Sequence, residues 1–88
     1  LPEIDQRDIE VQIYPNPTQG ALNVVLELGD ADKGRIEISN YLGEILRSEA
    51  LFNGANQLDL KGFRSGMYFF SITVNDIVIV QGKQVLLK

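Results

Sequence analysis

The sequence predicts an all-β protein, specifically a seven-stranded antiparallel immunoglobulin-like β-sandwich. Two observations lead there. Apolar residues recur at every second position, the period of a half-buried strand, and not at the 3.6 spacing of an amphipathic helix. Turn residues interrupt these runs at short, regular intervals, as in sandwiches whose strands are joined by tight connections. No helix is predicted.

The first strand spans residues 9–14 and ends at Tyr14. Pro15-Asn16-Pro17-Thr18-Gln19-Gly20 then forms a corner. Each proline disfavours helical geometry in the residue before it, Tyr14 and Asn16. Pro17 presets φ for a tight turn, and Gly20 is free to take the positive φ that closes it. Residues 21–28 form the second strand, with Leu22, Val24, Leu26 and Leu28 on one face and Asn23, Val25 and Glu27 on the other. In the third strand, 34–39, Ile36 and Ile38 alternate with Arg35, Glu37 and Ser39.

Residues 44–51 are the least regular strand. Ile45, Leu46, Ala50 and Leu51 fit neither face cleanly, and a helix-like turn is the alternative. After Asn53-Gly54, residues 55–60 put Leu58 and Leu60 on one face. Lys61–Gly66 is a polar connection, after which Gly66 is expected to hold a positive φ or a close backbone contact at the start of the next strand. In residues 67–74, Tyr68, Phe70, Ile72 and Val74 point inward and Phe69, Ser71 and Thr73 outward. Asn75-Asp76 turns the chain into a last strand, 77–87. There Gly82 interrupts the apolar run, which predicts a kink, a bulge or a change of partner at that residue.

Composition limits what such a domain does. The 88 residues contain no Cys and no His, which removes most zinc, haem and thiol chemistry. Eight basic residues against 12 acidic ones lack the basic footprint of a nucleic-acid binder. Charge is unevenly placed: Glu3, Asp5, Asp8 and Glu10 face only Arg7 in the first ten residues, whereas Lys83 and Lys88 follow Asp76 with no further acid. No apolar run approaches the ~20 residues of a membrane-spanning helix. The start at Leu1-Pro2 reads as a cut from a longer protein, with any export signal upstream.

Catalytic patterns are missing. There is no Gly-x-Ser-x-Gly elbow and no phosphate-binding Gly-rich loop, and a nucleophile here has neither His nor Cys to serve it. Asp30-Ala31-Asp32-Lys33-Gly34 resembles the opening of a calcium loop but lacks the third oxygen ligand and the closing Glu, so an ordinary polar turn is expected. Tyr14, Tyr41, Phe52 and Phe63 lie near turns as scattered aromatics. The expectation is a non-enzyme without cofactor or metal.

In order and spacing, Pro15-Asn16-Pro17 with Gly20, the central turn with Gly43, the Gly66-Met67-Tyr68 segment, and the basic ending with Gly82, Lys83 and Lys88 resemble a known family. It is the type A C-terminal sorting domain of proteins exported by the type IX, or Por, secretion system of Gram-negative bacteria. The resemblance covers residues 9–88, nearly the whole chain. It implies a C-terminal signal domain fused to an N-terminal cargo that transits the periplasm. The domain would present this cargo to the outer-membrane secretion machinery. A sortase-type protease at the surface then usually removes the domain. On this resemblance, residues 1–8 are a flexible acidic linker in which cleavage falls, and Pro15, Asn16, Pro17, Gly20, Gly43, Gly66, Tyr68, Gly82, Lys83 and Lys88 are the recognition motif. The last strand, Lys83–Lys88, is expected to be free for a receptor to read or to add to a sheet edge. The rival expectation is a fibronectin- or immunoglobulin-like spacer or adhesive module with no sorting role.

Overall fold

The structure, a computed structural model, describes residues 9–88. The expected acidic linker, residues 1–8, lies outside the described residues. Seven strands form: β1 (Val11–Tyr14), β2 (Ala21–Leu26), β3 (Gly34–Ser39), β4 (Ile45–Leu51), β5 (Gly54–Asp59), β6 (Gly66–Val74) and β7 (Ile77–Leu86). They make a three-stranded sheet in the order β1-β2-β5 and a four-stranded sheet in the order β4-β3-β6-β7. Every strand pair is antiparallel. The β2–β5 and β3–β6 pairs join strands that are not neighbours in sequence, the crossing pattern of an immunoglobulin-like sandwich.

The period-two alternation decides which faces meet. Leu22, Val24 and Leu26 of β2, with Leu58 and Leu60, bury against Ile36, Ile38, Leu51, Tyr68, Ile72, Val74 and Leu86 of the other sheet. Phe70 is half-buried against this core, on the face of Tyr68 and Ile72 as expected. Register fixes the match: Ile36 stands opposite Ile72, and Ile38 opposite Phe70.

β4 is a strand, and its irregular sequence has a structural cause. Pairing passes from Ile38–Arg47 to Ser39–Ile45, so Leu46 is an extra residue in a bulge. β4 is also an edge, and its inward positions are occupied by Arg47 and Glu49, opposite Ile38 and Ile36 of β3, with side chains 3.8 Å apart. Inward-pointing charge on an edge strand discourages sheet-to-sheet association. The Arg47 guanidinium lies 5.2 Å from the Phe63 ring centroid and donates to Asp59 O at 3.1 Å, closing the open side of the sandwich. Phe63 is therefore half-buried against the core, in contrast to the exposed Tyr14, Tyr41 and Phe52.

The last strand corrects one expectation. β7 runs unbroken through Gly82, and its irregularity lies three residues earlier, where pairing passes from Ile72–Val80 to Thr73–Val78 and leaves Ile79 extra. Ile79 and Val80 both reach the core, which is why residues 77–80 are apolar throughout instead of alternating. The two-residue turn before β7 has positive φ at both Asn75 and Asp76, the geometry of a type I′ hairpin. Asp32 belongs to a polar turn: its carboxylate accepts from Gly29 N at 2.7 Å and from Asn75 Nδ2 at 2.9 Å.

Candidate recognition site

The motif residues converge in part. Pro15–Gly20, the 60–65 connection and the C-terminal residues all lie at one end of the sandwich, because β1, β5 and β7 finish there and β2 and β6 begin there. Lys61, Arg64 and Lys88 follow the strands at this end, and Lys83 lies on the outer face of β7 nearby. The opposite end carries Glu27, Asp30, Asp32 and Asp76 in its loops against Lys33. Asp59 and Glu44 share the first end, so its basic excess is small, while the second end is acidic.

β7 is an edge strand, yet its C-terminal half is paired. Segment 16–18 runs beside it in parallel, with Thr18 opposite Leu86. Thr18 N donates to Val85 O at 2.9 Å and Leu87 N donates to Thr18 O at 2.8 Å. One step earlier the side chain of Asn16 takes the place of a peptide group. Its Nδ2 donates to Lys83 O at 2.9 Å, and its Oδ1 accepts from Val85 N at 3.1 Å. From the inner face of β7, Gln84 Nε2 donates to Pro15 O at 2.9 Å. The Tyr14–Pro15 and Asn16–Pro17 peptide bonds are cis.

Thr18 anchors the corner. It is 1% exposed, and its hydroxyl donates to Ala21 O and accepts from Gly20 N at 3.2 Å, so the buried oxygen is satisfied. Gly20, with φ +155°, accepts from Leu60 N at 2.7 Å and so ties the corner to the end of β5.

This geometry corrects the expectation that the last strand is free to be read. Leu86 is fully buried and Gln84 is 2% exposed, so the tail is part of the core as well as an edge. Lys83 and Lys88 are exposed, but the Lys88 backbone N–H donates to Ser65 Oγ at 3.0 Å and its ammonium to Lys61 O.

Tyr68 packs its ring 5.3 Å from that of Phe63 and donates from its hydroxyl to Arg64 O at 2.6 Å, pinning the 60–65 connection over the core. Gly66 has the expected positive φ, +158°, while a β-carbon there meets nothing within 4 Å, so it marks no close approach. Gly43 lies at the same end, in the β3–β4 turn, toward the sheet edge opposite β7. There its φ of +83° lets Gly43 N reach Asn40 O at 3.0 Å, while Asn40 Oδ1 accepts from Leu42 N and Glu44 N. Its role is to shape that hairpin.

Sequence reasoning passed over Thr18 and Gln84, and the amide of Asn16 as a strand partner. One signal was present: an Asn held between two prolines has an amide that the turn itself does not require.

These features define a class: a small immunoglobulin-like domain whose terminal strand is held by the corner after its first strand. The family model for the secretion system C-terminal sorting domain matches residues 12–87. The chain belongs to this family, and it is a C-terminal sorting domain of the type IX secretion system. It is also 32% identical over 85 residues to the ulvan lyase NLR42 of Nonlabens ulvanivorans. That match covers 94% of this chain and 16% of the relative's length.

Proposed function

We propose that this domain delivers a covalently fused N-terminal cargo through the outer-membrane secretion machinery to the cell surface or the medium, after passage through the periplasm. The domain is the substrate of the export chemistry and performs none itself. A sortase-type protease removes it by a cut within Leu1–Asp8, ahead of the folded strands. The relative's name fits a cargo that is an enzyme, a lyase for instance, attached ahead of a tail of this kind.

The observation that carries the proposal is that the first and last parts of the motif form one surface. Asn16 and Thr18 are bonded to Lys83, Val85 and Leu87 across more than 60 residues of chain. A receptor meeting this end of the sandwich meets a basic tail that Asn16 and Thr18 hold in place, in a geometry that exists only when the domain is folded. Recognition is thereby linked to folding of the signal.

The test is a reporter fused ahead of residues 1–88 and expressed in a bacterium that carries a type IX system. The reporter should become accessible to external protease and antibody, and a reporter lacking the domain should stay in the periplasm. Retention of the fusion in the periplasm, with the domain folded, would favour the spacer module instead.

A further inference from the structure

We infer that the Lys83–Leu87 edge of β7 is a docking surface for an extended segment of the receptor, added in parallel, and that Pro15–Thr18 is a built-in clamp which occupies this edge until the receptor displaces it. The inference rests on the sorting function and specifies how the signal is read. Three observations lead to it. The first is orientation: the edge already accepts a parallel partner, through Thr18 N to Val85 O and Leu87 N to Thr18 O.

The second is the nature of the clamp. Pro15 and Pro17 have no N–H to donate, and a side-chain amide serves where a strand would offer a peptide group. A full strand would meet the same four outward groups, Lys83 O, Val85 N, Val85 O and Leu87 N, with backbone groups alone, and could continue along β7 ahead of residue 83, where segment 16–18 makes no bridge. The same prolines leave the clamp's own outer edge poor in donors, so the covered sandwich does not template indiscriminate pairing.

The third observation is a cost inside the clamp. The Gln84 side chain is buried, with Nε2 on Pro15 O, while its Oε1 has no hydrogen-bond partner among the described residues. Burial of an unpaired acceptor opposes closure, and opening hydrates it. Edge-strand addition commonly combines backbone bonds for affinity with side-chain positions for selectivity, and here the exposed Lys83 and half-buried Val85 flank the rungs on the outer face.

Two variants test this in the 88-residue chain and in its reporter fusion. Asn16→Ala removes the clamp's amide. Val85→Pro removes the outward N–H of β7, a group that bonds Asn16 and not β6. Amide hydrogen exchange at Val85 and Leu87 should accelerate by about tenfold or more in Asn16→Ala, with Ile36 and Ile72 unchanged. Surface delivery of this variant should equal or exceed that of the wild type. Val85→Pro should lose delivery while Ile36 and Ile72 stay protected. Unchanged exchange at Val85 and Leu87 in Asn16→Ala would overturn the clamp. Loss of delivery by a folded Asn16→Ala would show that Asn16 is itself the feature read, and normal delivery of Val85→Pro would show that the edge is not the docking surface. If the wild-type fusion is not delivered, the sorting function fails and the receptor role with it, while the exchange data still decide whether the clamp holds the edge.

Discussion

The ring of Phe70 occupies the space that a side chain on Gly82 would take. The two residues are direct partners across β6 and β7, and a β-carbon built on Gly82 would lie 2.7 Å from Phe70 Cζ and 2.9 Å from Cε1. Gly82 is therefore a packing partner and not a break in the strand. An aromatic side chain folded over a cross-strand glycine shields backbone that would otherwise be exposed and gives the edge strand a contact its own sequence lacks.

Gly82→Ala should accordingly destabilise the domain by about 1–2 kcal/mol, because overpacking outweighs the few tenths gained by restricting the unfolded chain. In a Phe70→Leu background most of that penalty should disappear. Urea denaturation of the four variants in this cycle measures the coupling, and equal costs of Gly82→Ala in both backgrounds would refute the contact.

Gly43→Ala should cost about 1–2 kcal/mol, although a β-carbon there meets nothing within 4 Å. The cost is purely conformational, arising from the φ of +83°. Gly62→Ala, equally open and with no such φ, is the control and should lie within about 0.5 kcal/mol of the wild type. Thermal melts of the two variants separate strain from space.

Tyr68→Phe removes the hydroxyl that donates to Arg64 O and leaves the ring on Phe63. The expected loss is about 1 kcal/mol, with faster proteolysis within residues 60–65. Ile72→Ala, at a fully buried position opposite Ile36, should cost about 3–4 kcal/mol, a large part of the stability of a domain this small. A smaller loss for Ile72→Ala than for Tyr68→Phe, by denaturant titration, would contradict the core assignment.

Deletion of Gln84–Lys88 removes two buried side chains, Gln84 and Leu86, and the partners of Asn16 and Thr18. It should abolish surface delivery largely by unfolding, seen as loss of the β-sheet circular dichroism signal. Lys83→Glu with Lys88→Glu keeps the strand, reverses exposed charges that typically contribute ~0.2–1 kcal/mol each, and removes the Lys88 ammonium bond to Lys61 O. Delivery of that double variant should fall by up to about fivefold with the fold retained. Complete loss with a folded domain would assign recognition to the lysines instead of the strand edge.

How much of this was legible beforehand depends on the distance over which each feature is determined. Strand number, the inward faces of β2, β3 and β6, and the Asn75–Asp76 hairpin follow from local rules. Side-chain direction alternates residue by residue, and a tight turn needs particular residues within four positions. β4 was legible only as an irregularity, because a bulge at Leu46 and inward charges at Arg47 and Glu49 both depend on its being an edge.

For the candidate recognition site, the sequence by itself determined which residues match the family's motif, and their order. It also determined that the chain is all-β, with apolar faces adequate for one sandwich core. Only the tertiary structure decided that β7 is an edge, that Asn16 and Thr18 complete that edge, and that Gly82 is filled by Phe70. The physical reason is that a backbone hydrogen-bonding group at a sheet edge carries no side-chain signature of its partner. Which distant segment satisfies it depends on how the two sheets stack, and that stacking brings residue 16 to residue 85 across the whole domain.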